Sequence, residues 1–283
     1  MTLTLALVSK GRRSQTQRRM GVTGRLLRMG ASGGPSNMGV DEALATLCRD
    51  RPILRFYSWK APTLSIGYFQ RSSDIDLDAC HESSVCLVRR PTGGRAVLHQ
   101  RDLTYSLVIP LRPPWTEFSI AESYRRVHSC LKLGLETLGL AATIGMAPGP
   151  AGRAQSPFCF SAIARDEVLV GGKKVIGSAQ RRFPSALLQQ GSILLDFDPA
   201  EILLLLRPEG RAAAADSLGM VGTLREALGW LPDRVEVEAA IRKGLACGMG
   251  VEFAEATLEQ EEVELSEQLA ANRYTSEDWT FRR

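Results

Sequence analysis

No apolar run of about 18 residues occurs in this chain, so a membrane-spanning helix is excluded. The 6 cysteines (Cys48, Cys80, Cys86, Cys130, Cys159, Cys247) include no CxxC pair, and there are only 3 histidines, His81, His99 and His128. That scarcity argues against a structural zinc site, and no metal is expected. A secretory signal would carry positive charge ahead of its apolar part. Here residues 2–8 are the apolar part, and Lys10, Arg12, Arg13, Arg18 and Arg19 come after it. Scattered cysteines without such a signal point to reduced thiols and a cytoplasmic location. Charge of one sign is also scarce: 35 Lys and Arg against 31 Asp and Glu leave +4. That is too little to argue for nucleic acid, though it suits an acidic protein partner.

What is present is an ordinary globular composition, 44% hydrophobic and 23% charged over 283 residues, enough for one substantial core. There is no internal repeat and no linker strong enough to split it. Residues 1–19 read as a disordered basic extension, Met20 as the candidate start, and 20–283 as one domain.

Periodicity and turn residues give the coarse layout. Residues 24–27 read as an edge strand and 30–36 as a flexible loop. A helix opens at Asn37, with Asp41 and Glu42 as acids that favour a helix start. Two strands, 53–59 and 63–69, join across Lys60-Ala61-Pro62 as a hairpin. A short helix over 74–80 precedes strands at 85–88, 96–98 and 103–109. Residues 119–138 place Ile120, Tyr124, Val127, Leu131, Leu135 and Leu138 on one helical face, and 141–156 reads as a mobile loop. A hairpin turns at Gly171-Gly172 between 168–170 and 174–181, and 187–196 is a further strand. Helices follow over 201–206, 223–229, 235–249 and 258–272, the last with a solvated acidic face of Glu259, Glu261, Glu262, Glu264 and Glu267.

Two stretches carry chemistry. In Arg89-Arg90-Pro91-Thr92-Gly93-Gly94-Arg95-Ala96-Val97-Leu98-His99, glycines allow close backbone approach and arginine forks suit a carboxylate, phosphate or amide-bearing ligand. A basic turn with solvated arginines fits the composition equally well. In the second stretch, Cys159 alone among the cysteines lies between a proline-containing loop and a basic, glycine-rich hairpin. Lys174 on that hairpin is the natural cation to lower its thiol pKa.

The order of residues separates these readings. RRPTGGRAVLH followed by DLTYS closely resembles the signature of the lipoate and octanoate protein ligase–transferase family, which shares the biotin protein ligase fold. Thr92 and Arg95 follow the spelling of its octanoyltransferase branch. Trp59, Pro62, Ser65 and Gly67 match the family's W-x-x-P-x-x-S-x-G. Cys159 to Gln180 matches the branch's CF-x6-E-x-x-V-x-G-[RK]-K-V-x-G-S-A-Q in register. Three departures stand out: Gln100 for an acid, Gln190 for a histidine, and Ile163 to Asp166 for a proline with aromatics.

The resemblance implies an α/β fold with a mixed, largely antiparallel sheet flanked by helices, as in the biotin and lipoyl synthetase-like domain. It implies an acyltransferase that moves an octanoyl group from acyl carrier protein, through a thioester on Cys159, to a lysine of a lipoyl domain. That acceptor would be the glycine cleavage H protein or an E2 subunit. Lys174 would act beside the cysteine. Arg90, Thr92, Gly93, Gly94, Arg95, Ala96, Val97, Leu98, His99, Gly177, Ser178, Ala179, Gly191 and Ser192 would bind substrate. No cofactor is implied; ATP and magnesium enter only if the chain is instead a lipoate–protein ligase. A non-catalytic acyl- or carrier-binding module is the remaining alternative.

Overall fold

The computed structural model describes residues 22–145, 157–158 and 166–283; the expected extension over 1–19 and Cys159 lie outside them. β1 (Val22–Ser32) leads into α1 (Gly34–Leu47), whose first turn holds Pro35, where the missing N–H would have no helical partner anyway. There follow β2 (Ile53–Trp59), β3 (Thr63–Ile66), α2 (Leu77–Glu82), β4 (Cys86–Arg89), β5 (Val97–His99) and β6 (Asp102–Pro110). α3 (Ile120–Glu136) is capped by Ser119, whose side chain accepts the Glu122 N–H. Then come β7 (Ala142–Ile144), β8 (Val168–Val170), β9 (Lys173–Arg182), β10 (Ala186–Leu194), α4 (Pro199–Leu204), α5 (Pro208–Ala215) and α6 (Leu224–Leu228). The chain closes through α7 (Arg234–Met249), β11 (Val251–Glu255), α8 (Gln260–Leu269) and α9 (Glu277–Thr280).

Eight strands form one sheet in the order β11-β1-β2-β6-β10-β9-β8-β7. β1 pairs in parallel with both β11 and β2, and every other pairing in this sheet is antiparallel. The mixed, largely antiparallel sheet expected from the sequence is therefore present. Strand alternation divides its side chains between two helical layers. Leu54, Phe56, Tyr105, Leu107 and Leu187 meet Val127 and Leu131 of α3 and Ile241 and Leu245 of α7. Ile53, Val108 and Leu188, one residue out of phase, meet Val40 and Leu44 of α1. With both faces covered, β6 and β10 are buried along their whole length. A second sheet, β4-β3-β5, packs Leu64, Ile66 and Leu98 against Leu194 of β10 and Ile202 of α4.

Several sequence expectations change here. β1 is not an edge strand but lies between β11 and β2, and it runs on through residues expected to be loop. β2 and β3 do not form a hairpin. The chain reverses at Lys60-Ala61-Pro62, but β3 joins the second sheet while β2 pairs with β1 and β6. Residues 142–144 of the expected mobile loop form β7 against β8, and 146–156 lie outside the described residues. Because α1 begins at Gly34, Asp41 and Glu42 fall in its body and are buried, not in a first turn. Glu262 leaves the acidic face as well. It is buried and takes a two-pronged pair from Arg25, at 2.5 and 2.7 Å. The hairpin at Gly171-Gly172 forms as expected, with φ of 58° and 79°, the positive values that a two-residue turn matched to strand twist requires.

No helix among the described residues is long and apolar enough to cross a membrane. Among them there is also no group of three or more His, Cys, Asp or Glu that could hold a metal ion.

Candidate active site

Residues 90–96 leave β4 as a loop without repetitive structure, so their carbonyls need partners from elsewhere. The buried Arg90 supplies two of them, and the buried Arg89 braces the turn packed beside the loop. Arg89 donates to the carbonyls of Gly67 and Gln70, both at 2.7 Å, and of Thr280 at 2.9 Å. Burial, helped by the nearby charges of Arg282 and Arg283, brings the Arg89 guanidinium down to about 10. Arg90 donates to the carbonyls of Ser65 at 2.8 Å, Gly93 at 2.8 Å and Arg95 at 2.7 Å. These bonds tie the loop to itself, to β3 and the turn after it, and to the C-terminal segment, and Arg90 also lines the cleft beside the loop. Gly67 is pressed on this loop so closely that an added Cβ would lie 1.9 Å from the Gly94 oxygen.

Beside the loop is a small cleft. Of the expected substrate-binding residues, Arg90, Val97, His99, Gly177, Ser178, Ala179, Gly191 and Ser192 line it. They come together because β9 and β10 pair Gly177 with Ser192, Ser178 with Gly191 and Ala179 with Gln190. Thr92 does not line the cleft; its hydroxyl donates to the Gln190 side-chain oxygen at 2.7 Å and fixes that amide at the wall. Gly93, Gly94, Arg95, Ala96 and Leu98 also lie outside the lining, with Ala96 and Leu98 in the core of the second sheet.

Sequence reasoning had not assigned Met38, Tyr57, Trp59, Ser65 or Thr104 to the site, yet all line the cleft. Trp59 and Ser65 belonged to the W-x-x-P-x-x-S-x-G match, the one signal that could have found them. Beneath the cleft, the fully buried Asp41 collects Arg55 Nη1 at 2.7 Å, Tyr57 Oη at 3.0 Å, Ser106 Oγ at 2.7 Å and Gln190 Nε2 at 2.7 Å. Burial, then the Asp41 charge, pushes the Tyr57 phenol well above its ordinary value. At the second-sheet end, His99 stacks on Trp59 with ring centroids 4.3 Å apart. Its Nδ1 lies 2.9 Å from Asp102 Oδ2 and its Nε2 lies 2.8 Å from Ser65 Oγ. Thr104 donates to the same Asp102 oxygen at 2.8 Å. Burial works to raise the Asp102 carboxyl, but His99 and these hydrogen bonds hold it below the ordinary carboxylate range.

Lys174 is buried but lies outside the cleft lining. Its ammonium donates to Glu167 Oε1 at 3.0 Å, and burial raises the Glu167 carboxyl despite that partner. Tyr124 Oη reaches Glu167 Oε1 at 3.3 Å and the Ser178 carbonyl at 3.1 Å, tying this pair to the strand that forms one cleft wall. Lys173 projects elsewhere and pairs with the partly exposed Glu226, as alternation along the strand requires. Cys159 is not among the described residues, but the two before it are. Pro157 accepts the Ala96 N–H at 3.0 Å and the Gln70 side-chain amide at 2.9 Å, and Phe158 forms a parallel bridge with Ala96.

Comparison with known proteins adds to this geometry. The family model described as the lipoyl protein ligase A/B catalytic domain matches residues 34–246. An octanoyltransferase LipM of Kyrpidia tusciae is 40% identical over 277 residues, which covers 92% of this chain and 99% of that protein. Among solved structures, a bi-partite lipoate protein ligase from Thermoplasma acidophilum, described with its E2 lipoyl domain, superposes with a TM-score of 0.77. The two are 26% identical, over 92% of this chain and 96% of the other. A lipoate-protein ligase A bound with ATP gives the same TM-score and identity, over 92% of this chain and 99% of the other.

Proposed function

Because this chain belongs to the lipoyl protein ligase A/B catalytic domain family, we propose that it is an octanoyltransferase working by a two-step acyl exchange. The thiolate of Cys159 attacks the thioester of octanoyl acyl carrier protein and releases the carrier's thiol. Thioester exchange is close to thermoneutral, so the step needs neither ATP nor another cofactor. The amine of a lysine on a lipoyl domain, of a glycine cleavage H protein or an E2 subunit, then attacks the acyl-enzyme and leaves with the octanoyl group as an amide. Lys174 stabilises the thiolate and the negative charge that develops on the carbonyl oxygen. The acyl chain lies against Met38, Trp59 and Val97, with the backbone of 177–179 close beside it. The mild positive charge suits an acidic carrier, and the reaction belongs to the cytosol.

One observation carries the assignment: relatives named octanoyltransferase match this chain at 33–40% identity along nearly its whole length, and the Cys159 to Gln180 segment keeps that branch's pattern in register. The test is intact mass spectrometry of the protein mixed with octanoyl acyl carrier protein. A single octanoyl adduct, labile to hydroxylamine and absent in Cys159→Ala, is expected. Full activity in Cys159→Ala would reject the mechanism. Robust lipoyl-domain modification from free octanoate with ATP and magnesium would move the chain to the ligase branch.

A further inference from the structure

The Ser65, His99 and Asp102 side chains form a connected line at one end of the acyl cleft, and the reaction above leaves it without a task. The carboxylate of Asp102 can only accept, so the 2.9 Å contact fixes the imidazole proton on Nδ1. In the neutral imidazole Nε2 is then the acceptor, and the 2.8 Å contact is a hydrogen bond donated by the Ser65 hydroxyl. Arg90 Nη1 also donates to Ser65 Oγ at 3.1 Å, which favours negative charge building on that oxygen. Pairing in the second sheet explains the arrangement. Ser65 faces Val97 and Thr63 faces His99, so Ser65, Val97 and His99 share the face turned to the cleft, while Leu64 and Leu98 fill the core behind.

The second half of the exchange has a proton problem. A lysine ammonium, with an ordinary pKa of about 10.4, must lose one proton to expose its lone pair and another as the amide forms. Lys174 as an ammonium beside the Glu167 carboxylate has no lone pair with which to accept either. Phe158 bridges to Ala96, the residue before Val97, which is itself the sheet partner of Ser65.

We infer that Ser65 and His99 form a proton relay, oriented by Asp102, that serves the acceptor lysine, an inference resting on the acyl-enzyme reading above. The first ammonium proton goes to solvent. As the amine nitrogen bonds to the thioester carbon, Ser65 takes the second proton and passes its own to His99 Nε2. The carbon–sulfur bond breaks with its electron pair on Cys159, and the imidazolium returns the proton to that thiolate. Ser65 is the group that meets the amine; Asp102 is a positioning residue.

The test starts from preformed octanoyl-enzyme and measures its partition between two nucleophiles, a lipoyl domain and hydroxylamine, an α-effect nucleophile that cleaves thioesters without an enzymic base and passes its N–H proton to solvent. His99→Gln, Ser65→Ala and Asp102→Asn should each slow transfer to the lipoyl domain by about 10²-fold, the lower range for general-base catalysis, and leave transfer to hydroxylamine near wild type. The ratio is taken within one acylated sample, so folding losses cancel. An unchanged ratio in all three variants overturns the relay and makes the triad a latch between the two sheets. Failure of all three to acylate at all overturns it too, because the residues would then serve the fold or the first step. Failure of the wild type to acylate would instead reject the octanoyltransferase reading.

Discussion

Asp41→Ala should be among the most damaging single substitutions in this chain, although the residue only underlies the cleft. Asp41 and Arg55 are 0% and 1% exposed and meet at 2.7 Å. Removing the carboxylate leaves a buried guanidinium without its charge partner, and breaking such a pair typically costs about 3–5 kcal/mol. It also takes the acceptor from Tyr57, Ser106 and Gln190, so the lost bonds reach two strands and the cleft wall. At about 2–4 °C per kcal/mol for a domain of this size, the melting temperature should fall by about 6–20 °C. Asp41→Asn keeps the shape but offers one neutral acceptor to several donors, so its loss should be intermediate. Urea melts of both variants, with Arg55→Met to complete a double-mutant cycle, give the coupling directly, and more than about 1 kcal/mol is expected. If Asp41→Ala costs under about 1 kcal/mol, the buried network does not hold α1 to the sheet and the reasoning fails.

Two further predictions concern ionisation. Burial, opposed by a hydrogen bond to the Asp166 carbonyl, brings His128 down to about 3, below its unfolded value of about 6.5, so the unfolded chain takes up a proton that the fold refuses. Stability should therefore drop as pH falls below about 6.5, by up to about 1.4 kcal/mol per unit; urea melts of His128→Gln should show a flatter slope, and identical slopes would exclude the assignment. Lys174→Ala should slow alkylation of Cys159 at neutral pH, with recovery as pH rises, and Lys174→Arg should recover alkylation better than catalysis, while Lys173→Ala serves as the unaffected control. Glu167→Gln should speed alkylation by removing the ammonium's counter-charge, and equal rates in all these variants would rule out the role given to Lys174.

The fold was legible in the sequence where signals are local and lost where partners are remote. α3, the Gly171-Gly172 hairpin and β6 follow from apolar spacing and turn residues within one window. β1 was read as an edge because its neighbour β11 is set by pairing residues 22–26 with 251–255, which no short window contains. The reversal at Lys60-Ala61-Pro62 was read as a hairpin because turn residues report that a chain turns back. They do not report whether the two flanking strands pair with each other or join different sheets.

The same distinction governs the site. Gly177, Ser178, Ala179, Gly191 and Ser192, expected at the site, line the cleft together because both strands carry their motif on the facing stretch, and antiparallel pairing brings the two motifs into register. The arginine bonds were not legible, because residue type fixes how many donors a side chain has, not where they go. A loop that combines two glycines and a proline with no repetitive structure leaves carbonyls that must find donors once buried. A buried guanidinium with five N–H groups meets several of them at once, and Arg90 is used in this way for Gly93 and Arg95 while Arg89 does the same for Gly67 and Gln70 in the turn beside it. In a glycine-rich buried loop, an adjacent arginine pair should therefore be read first as the loop's own scaffold. The residues that scaffold holds in place, here Ser65 and His99, are then the ones to weigh for chemistry.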